Sequence, residues 1–105
     1  MRQELIELIE IFKPNGIDWM EYVWRENNPY TFHHIKEKRN GGKLTVRNGA
    51  ILTNDAHIYL NYLDSQYHKI YNELNGLFKD LNRTMKPPTD DYYEEVNHIL
   101  VKVKK

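Results

Sequence analysis

The residues of this 105-residue chain with the clearest chemical potential are two adjacent histidines, His33 and His34, and three further polar residues, Asn48, His57 and Asn61. The chain contains no Cys, so a metal ion would have to be held by His, Asn, Asp or Glu side chains. Residues four apart on a helix project to the same side, and a helix carrying His57 and Asn61 would let both bind one cation. A hairpin folded against that helix would bring His33 to the same ion. The pattern therefore predicts a metal site with imidazole and oxygen ligands.

Each of these residues also has a simpler structural interpretation. Two adjacent histidines on a strand point to opposite faces, which is typical of one buried and one exposed residue. His57 and Asn61 are ordinary residues for the solvated face of a helix, and an Asn48-Gly49 pair is common in turns. Only the joint spacing favours a functional site over these separate interpretations.

That joint spacing resembles the HNH nuclease motif of the ββα-metal fold, in a variant that has Asn at its last position. The chain reads His-His, thirteen residues, Asn, eight residues, His, three residues and Asn. The matched segment is residues 31–61, about a third of the chain. The resemblance implies an α+β, mostly helical protein with a ββα-metal hairpin-plus-helix core flanked by N- and C-terminal helices. In this family, small stand-alone proteins of this kind belong to phages or mobile elements.

The resemblance also implies a role for each residue. His33, His57 and Asn61 would bind one divalent metal ion, and His34 would be the general base that takes a proton from the attacking water. Asn48 would tie the hairpin loop to its base and so orient His34. An amide oxygen is a hard ligand, which favours Mg²⁺ or Mn²⁺ and leaves Zn²⁺ or Ni²⁺ as alternatives. The implied activity is endonucleolytic hydrolysis of DNA, by nicking or by double-strand cleavage.

The distribution of charge is uneven along the chain. Lys and Arg number 15, as do Asp and Glu, so the net charge is zero, which argues against tight DNA binding over the whole surface. Residues 31–53, however, carry five basic side chains and one acidic side chain, Glu37, a net charge of +4. We expect the five basic residues to contact the phosphate backbone of DNA with low sequence specificity. They are Lys36, Lys38, Arg39, Lys43 and Arg47.

Helical periodicity predicts the elements that surround this motif. Aliphatic residues alternate with carboxylates over residues 2–12, and Asp18 with Glu21 three residues later is a capping box that predicts a second short helix. Apolar residues at steps of three and four over residues 54–82 predict one long helix, or two helices broken near Gly76. The flanking helices are thus predicted at residues 2–26 and 89–103.

The hairpin is predicted from two runs rich in β-branched and aromatic residues. The runs are Tyr30–Ile35 and Lys43–Val46, joined by a wide polar loop, and Asn48 follows the second of them. We expect a motif core at residues 30–64 within a single domain that spans residues 1–105.

Other functions and partners stay open. A catalytically weak or silent binding protein on the HNH scaffold, such as a phage or mobile-element inhibitor that docks on a host protein, is the second hypothesis, and the zero net charge favours it. Helices at residues 2–12 and 90–101 offer a surface for a homodimer. The sequence has neither a secretory signal nor the roughly 20 apolar residues of a membrane span. We therefore expect a soluble, cytoplasmic protein without a membrane partner.

Overall fold

A computed structural model describes residues 2–104 of the chain and gives it four α-helices and a two-stranded antiparallel sheet within that range. The predicted α+β, mostly helical class is confirmed. Short 3₁₀ turns occupy Lys38–Asn40, Val46–Asn48 and Val101–Lys104. The main elements, in chain order, are α1 (Gln3–Phe12), β1 (Tyr30–His34), β2 (Gly49–Thr53), α2 (Asn54–Gln66), α3 (His68–Thr84) and α4 (Asp90–Leu100).

The hairpin of β1 and β2 lies between α1 on one face and α2 and α3 on the other. Its register sets His33 opposite Ala50 and His34 opposite Gly49. On the α1 face, a Cβ at Gly49 would lie 2.5 Å from the Phe32 ring and 2.6 Å from a methyl group of Leu8. Only glycine therefore lets α1 pack this closely against the hairpin.

The predicted second strand is wrong in position. Lys43–Val46 belongs to the loop, and the strand is Gly49–Thr53, so Asn48 precedes the strand instead of following it. Ala50, Ile51 and Leu52 are fully buried, because elements pack on both faces of β2. A strand covered on both faces has no alternation of polar and apolar residues. The run Lys43–Val46, which precedes β2 and is more polar, resembled a strand more closely for that reason.

The predicted helix after Asp18 is also wrong, so the N-terminal flanking helix is α1 alone. The Asp18 carboxylate accepts hydrogen bonds from Met20 N and Tyr22 N at 2.8 and 2.9 Å. Its other oxygen accepts from the backbone N–H and the hydroxyl of Thr53 on β2, at 2.7 and 2.8 Å. Glu21 adopts a left-handed backbone with φ 70°, which no helix contains. The carboxylate therefore fastens a turn to the sheet and caps no helix.

The C-terminal half follows the predicted helical pattern with one difference. The long segment forms two helices that are broken at Tyr67, where φ is −142° and ψ is 58°, whereas Gly76 lies inside α3. The predicted last helix is present as α4, and the hydroxyl of Thr89 accepts from Tyr92 N at its start. Every helix in the described part of the chain is too short or too polar to cross a lipid bilayer.

Candidate metal centre

His33 projects from β1 into the interior, towards α2 and α3. Its side chain is 5% exposed, and its ring makes an edge contact with Phe78 at a centroid distance of 5.8 Å. The Nε2 atom lies 2.7 Å from Oδ1 of Asn75 on α3. Burial lowers the pKa of His33 to about 4, against the opposing effect of this hydrogen bond. The imidazole is therefore neutral near pH 7, which is the form that binds metal ions.

His57 lies on the first turns of α2, next to His33. Its Nδ1 atom is 3.0 Å from the hydroxyl oxygen of Thr31, and that hydroxyl donates its single hydrogen to Leu52 O at 2.8 Å. The Thr31 oxygen can then only accept from Nδ1–H, because a hydroxyl has one hydrogen to give. Nε2 of His57 is consequently the nitrogen with the free lone pair. Burial lowers the pKa of His57 as well.

The spacing of the two rings fits a shared ion. Their centroids are 5.3 Å apart and their planes are nearly perpendicular, at 89°. A metal–nitrogen bond of about 2.1 Å puts two imidazoles on one ion at ring-centre separations of roughly 4.5 to 5.5 Å. Two neutral imidazoles at this separation, each with one unprotonated nitrogen, are suitable donors for a divalent cation.

The third predicted ligand, Asn61, is exposed on α2, one turn beyond His57. A helix projects residues four apart to the same side, so its amide lies on the side of α2 that carries His57. Within residues 2–104 no group of three or more His, Cys, Asp or Glu side chains is arranged to hold a metal ion. The predicted set of two histidines and one asparagine falls outside that definition, and it stays a prediction.

His34 ends β1 on the opposite face from His33. Its ring meets the edge of the Phe32 ring at a centroid distance of 5.0 Å, and it is half-buried. Burial lowers its pKa first, and the positive charges of Arg2 and Lys38 lower it further. The imidazole of His34 is thus mainly in the basic form at neutral pH. Its assignment as general base stays a prediction.

Asn48 contacts both ends of the hairpin loop, and its assignment as the residue that orients His34 stays a prediction. Its Oδ1 accepts from Lys36 N at 2.8 Å, and its Nδ2 donates to Lys36 O and to Lys43 O, both at 3.0 Å. Ile35 N also donates to Asn48 O at 2.9 Å. One side chain therefore fixes both ends of the segment 36–43, directly after the strand that carries His34.

The predicted phosphate contacts divide into two groups. Lys36, Lys38, Lys43 and Arg47 are exposed on the loop. Arg39 instead forms ion pairs with Glu37 and with Asp64 of α2, the latter at 3.2 Å, so its charge is partly neutralised within the chain.

Two residues near the site were missed by the sequence analysis. Arg2 lies over the Phe32 ring, with its guanidinium carbon 5.9 Å from the centroid, and it adds a positive charge near His34. Asn75 is a polar residue on the side of α3 that carries the buried Tyr71 and Phe78. A polar residue on an apolar helix face signals a buried partner, whereas nothing in the sequence distinguishes Arg2.

In comparisons with known proteins, neither a family model, nor a curated protein, nor a solved structure matches this chain.

Proposed function

We propose that the protein is a metal-dependent endonuclease of the HNH type, with the ββα-metal arrangement, that hydrolyses phosphodiester bonds of DNA. The observation that carries the proposal is the pair of neutral imidazoles of His33 and His57, 5.3 Å apart and each with one unprotonated nitrogen. A strand and the helix after it supply one histidine each, and the general-base candidate His34 is the next residue of the strand.

The residues of the centre divide the work of hydrolysis. One divalent ion, Mg²⁺ or Mn²⁺ in preference to Zn²⁺ or Ni²⁺, would supply positive charge at the scissile phosphate when bound by His33, His57 and Asn61. His34 accepts a proton from the attacking water at its unprotonated ring nitrogen. Its lowered pKa keeps that nitrogen available near pH 7.

The hairpin loop would bind the substrate backbone. Lys36 and Lys38 lie two and four residues after His34 and are exposed, so phosphates held by them would lie near the general base. Asn48 keeps this loop closed through its bonds to Lys36 and Lys43. Contacts of this kind carry little sequence information, which agrees with a nuclease of low specificity.

A plasmid-nicking assay tests the proposal. Supercoiled plasmid is incubated with the wild type, His34→Ala and His98→Ala in Mg²⁺, in Mn²⁺ and in EDTA. His98 is an exposed histidine on α4, so its variant is the matched control. We expect metal-dependent nicking by the wild type and by His98→Ala, and a loss of about 10² to 10⁴ in rate for His34→Ala. Equal nicking by all three proteins in EDTA would refute the proposal.

A binding protein on the same scaffold is the second candidate. It is favoured by large apolar side chains that are exposed at the surface, among them Val23, Ile58 and Tyr62, at 52, 61 and 47%. Ile58 and Tyr62 lie one turn apart on the same side of α2, and adjoining exposed apolar side chains are typical of protein contacts. This candidate predicts no metal-dependent nicking by any of the three proteins.

A further inference from the structure

We propose that Asn75 is a positioning residue, which holds His33 in the tautomer whose Nδ1 is free to bind a metal ion. The inference rests on the proposed function, because it assigns a purpose to a contact made inside the candidate metal centre. It goes beyond the resemblance, since Asn75 lies outside the matched segment 31–61.

The orientation of the Asn75 amide is fixed by two contacts. Its Nδ2 donates to Tyr71 O one turn earlier on α3, at 3.1 Å. Its Oδ1 therefore faces His33, and the 2.7 Å contact is a hydrogen bond from Nε2–H. A neutral imidazole carries one hydrogen, so Nδ1 of His33 bears the lone pair.

The ring is also held by its neighbours. Phe78 of α3 and His57 of α2 both contact the His33 ring nearly perpendicularly, at centroid distances of 5.8 and 5.3 Å. These contacts restrict the ring plane, whereas the bond to Asn75 selects which nitrogen carries the hydrogen. Outer residues that fix the tautomer of a metal-binding histidine in this way are a general feature of metal sites.

A purely structural role explains the pair less well. The His33 ring is buried and Asn75 is partly buried. Replacing both partners of a hydrogen bond by apolar groups of the same shape, which avoids their desolvation, can be neutral or stabilising. A leucine at position 75 and a phenylalanine at position 33 would extend the surrounding apolar contacts without that desolvation. The polar pair therefore points to a use for the imidazole itself.

The first test measures metal affinity. Purified metal-free wild type, Asn75→Ala, Asn75→Asp and Asn72→Ala are titrated with Mn²⁺ and with Zn²⁺ by calorimetry. We expect Asn75→Ala to bind about 10- to 100-fold more weakly. Asn75→Asp keeps an acceptor oxygen for Nε2–H of His33, but its second oxygen faces Tyr71 O, so it should bind metal more tightly than Asn75→Ala and more weakly than the wild type. Asn72 is exposed on the same helix, and its Ala variant should be unaffected.

The second test reads the tautomer directly and needs no metal. Long-range ¹H–¹⁵N spectra of the labelled, metal-free proteins should show His33 with Nε2 protonated in the wild type and in Asn75→Asp. Asn75→Ala should show a mixture of tautomers. Thermal unfolding of each variant establishes that the protein compared is folded.

The outcomes separate this inference from the proposed function. Wild type that binds neither Mn²⁺ nor Zn²⁺ refutes the metal centre, and both proposals then fail. Wild type that binds metal, together with equal affinity in Asn75→Ala, overturns the role of Asn75 alone. A wild-type His33 with Nδ1 protonated overturns it as well, whatever the variants do.

Discussion

Replacing Asn48 by Asp gives a sharp test of the hydrogen bonds that close the hairpin loop. The two side chains have the same shape, but Asp has an oxygen where Asn48 has its Nδ2. That nitrogen donates to Lys36 O and Lys43 O, both at 3.0 Å. In the variant, an oxygen would face two carbonyl oxygens, and only the bond from Lys36 N would survive.

Electrostatics and hydrogen bonding predict opposite orders for the Asp and Ala variants. Asn48→Ala loses three bonds, worth about 0.5 to 1.5 kcal/mol each. Water reaches the partly exposed loop, so we expect a loss of about 1.5 to 3 kcal/mol in the free energy of unfolding. Net charge alone would make Asn48→Asp the more stable variant, because residues 31–53 carry a net charge of +4. The repulsion between the Asp oxygen and the carbonyl oxygens of Lys36 and Lys43 outweighs this attraction, since exposed ion pairs contribute only about 0 to 1 kcal/mol. We therefore expect Asn48→Asp to be less stable than Asn48→Ala by about 1 kcal/mol.

Urea unfolding followed by far-UV circular dichroism measures these differences. Asn40→Asp is the matched control, because it makes the same change of charge at an exposed position of the same loop, and it should stay within about 0.5 kcal/mol of the wild type. High salt screens the favourable charge term, so the gap between the Asp and Ala variants should widen in 1 M NaCl. An Asp variant as stable as the Ala variant would refute the donor role of Nδ2.

Three further predictions follow from other contacts. Asp18→Asn should lower the free energy of unfolding by about 2 to 4 kcal/mol, because its amide hydrogens would face the N–H of Thr53. Burial raises the pKa of Asp18 above its ordinary value of 3.8. The contribution of Asp18 to the free energy of unfolding is therefore complete below pH 3.8 and declines as the pH rises through the pKa of the folded protein. In urea titrations, the difference in free energy of unfolding between the wild type and Asp18→Asn should narrow above about pH 4. Arg2 adds a positive charge near His34, so Arg2→Gln should reduce the salt slope of duplex binding by about 1. Fluorescence anisotropy measures the slope, with Arg83→Gln on α3 as the control. An unchanged slope would show that Arg2 does not contact the duplex. Saturating Mn²⁺ should raise the melting temperature of the wild type by roughly 5 °C or more, and EDTA should reverse this increase. An equal increase in the His57→Ala variant would show that the ion binds elsewhere.

Elements whose pattern is local could be predicted from the sequence. Helix α4 has a Thr at its N-cap, acidic residues in its first turn and an apolar period, all of which act within a few residues. The observed strand β1 ends only one residue before the end of the predicted run, because that run of aromatic and β-branched residues is bounded locally by Pro29. The contacts of Asn48 could be anticipated only through the resemblance, which covers the loop.

Elements decided by distant partners could not be predicted. The residues after Asp18 satisfy the local rule for a capped helix, yet the carboxylate binds Thr53, 35 residues further on. The long helical segment breaks at Tyr67, where the local sequence has no glycine or proline. The bond from His33 to Asn75 spans 42 residues, and no spacing rule relates the two.

The dependence of the hairpin on α3 has a consequence for protein engineering. The matched segment looks like a self-contained module that could be excised or grafted onto another scaffold. Asn82 of α3, however, donates to both Val46 O and Gly49 O, at 2.8 and 2.7 Å, while Asn75 and Phe78 of the same helix contact His33. A transplant ending at residue 66 would keep every residue of the motif and lose the scaffold that shapes it. The smallest transferable unit of this centre therefore extends to the end of α3.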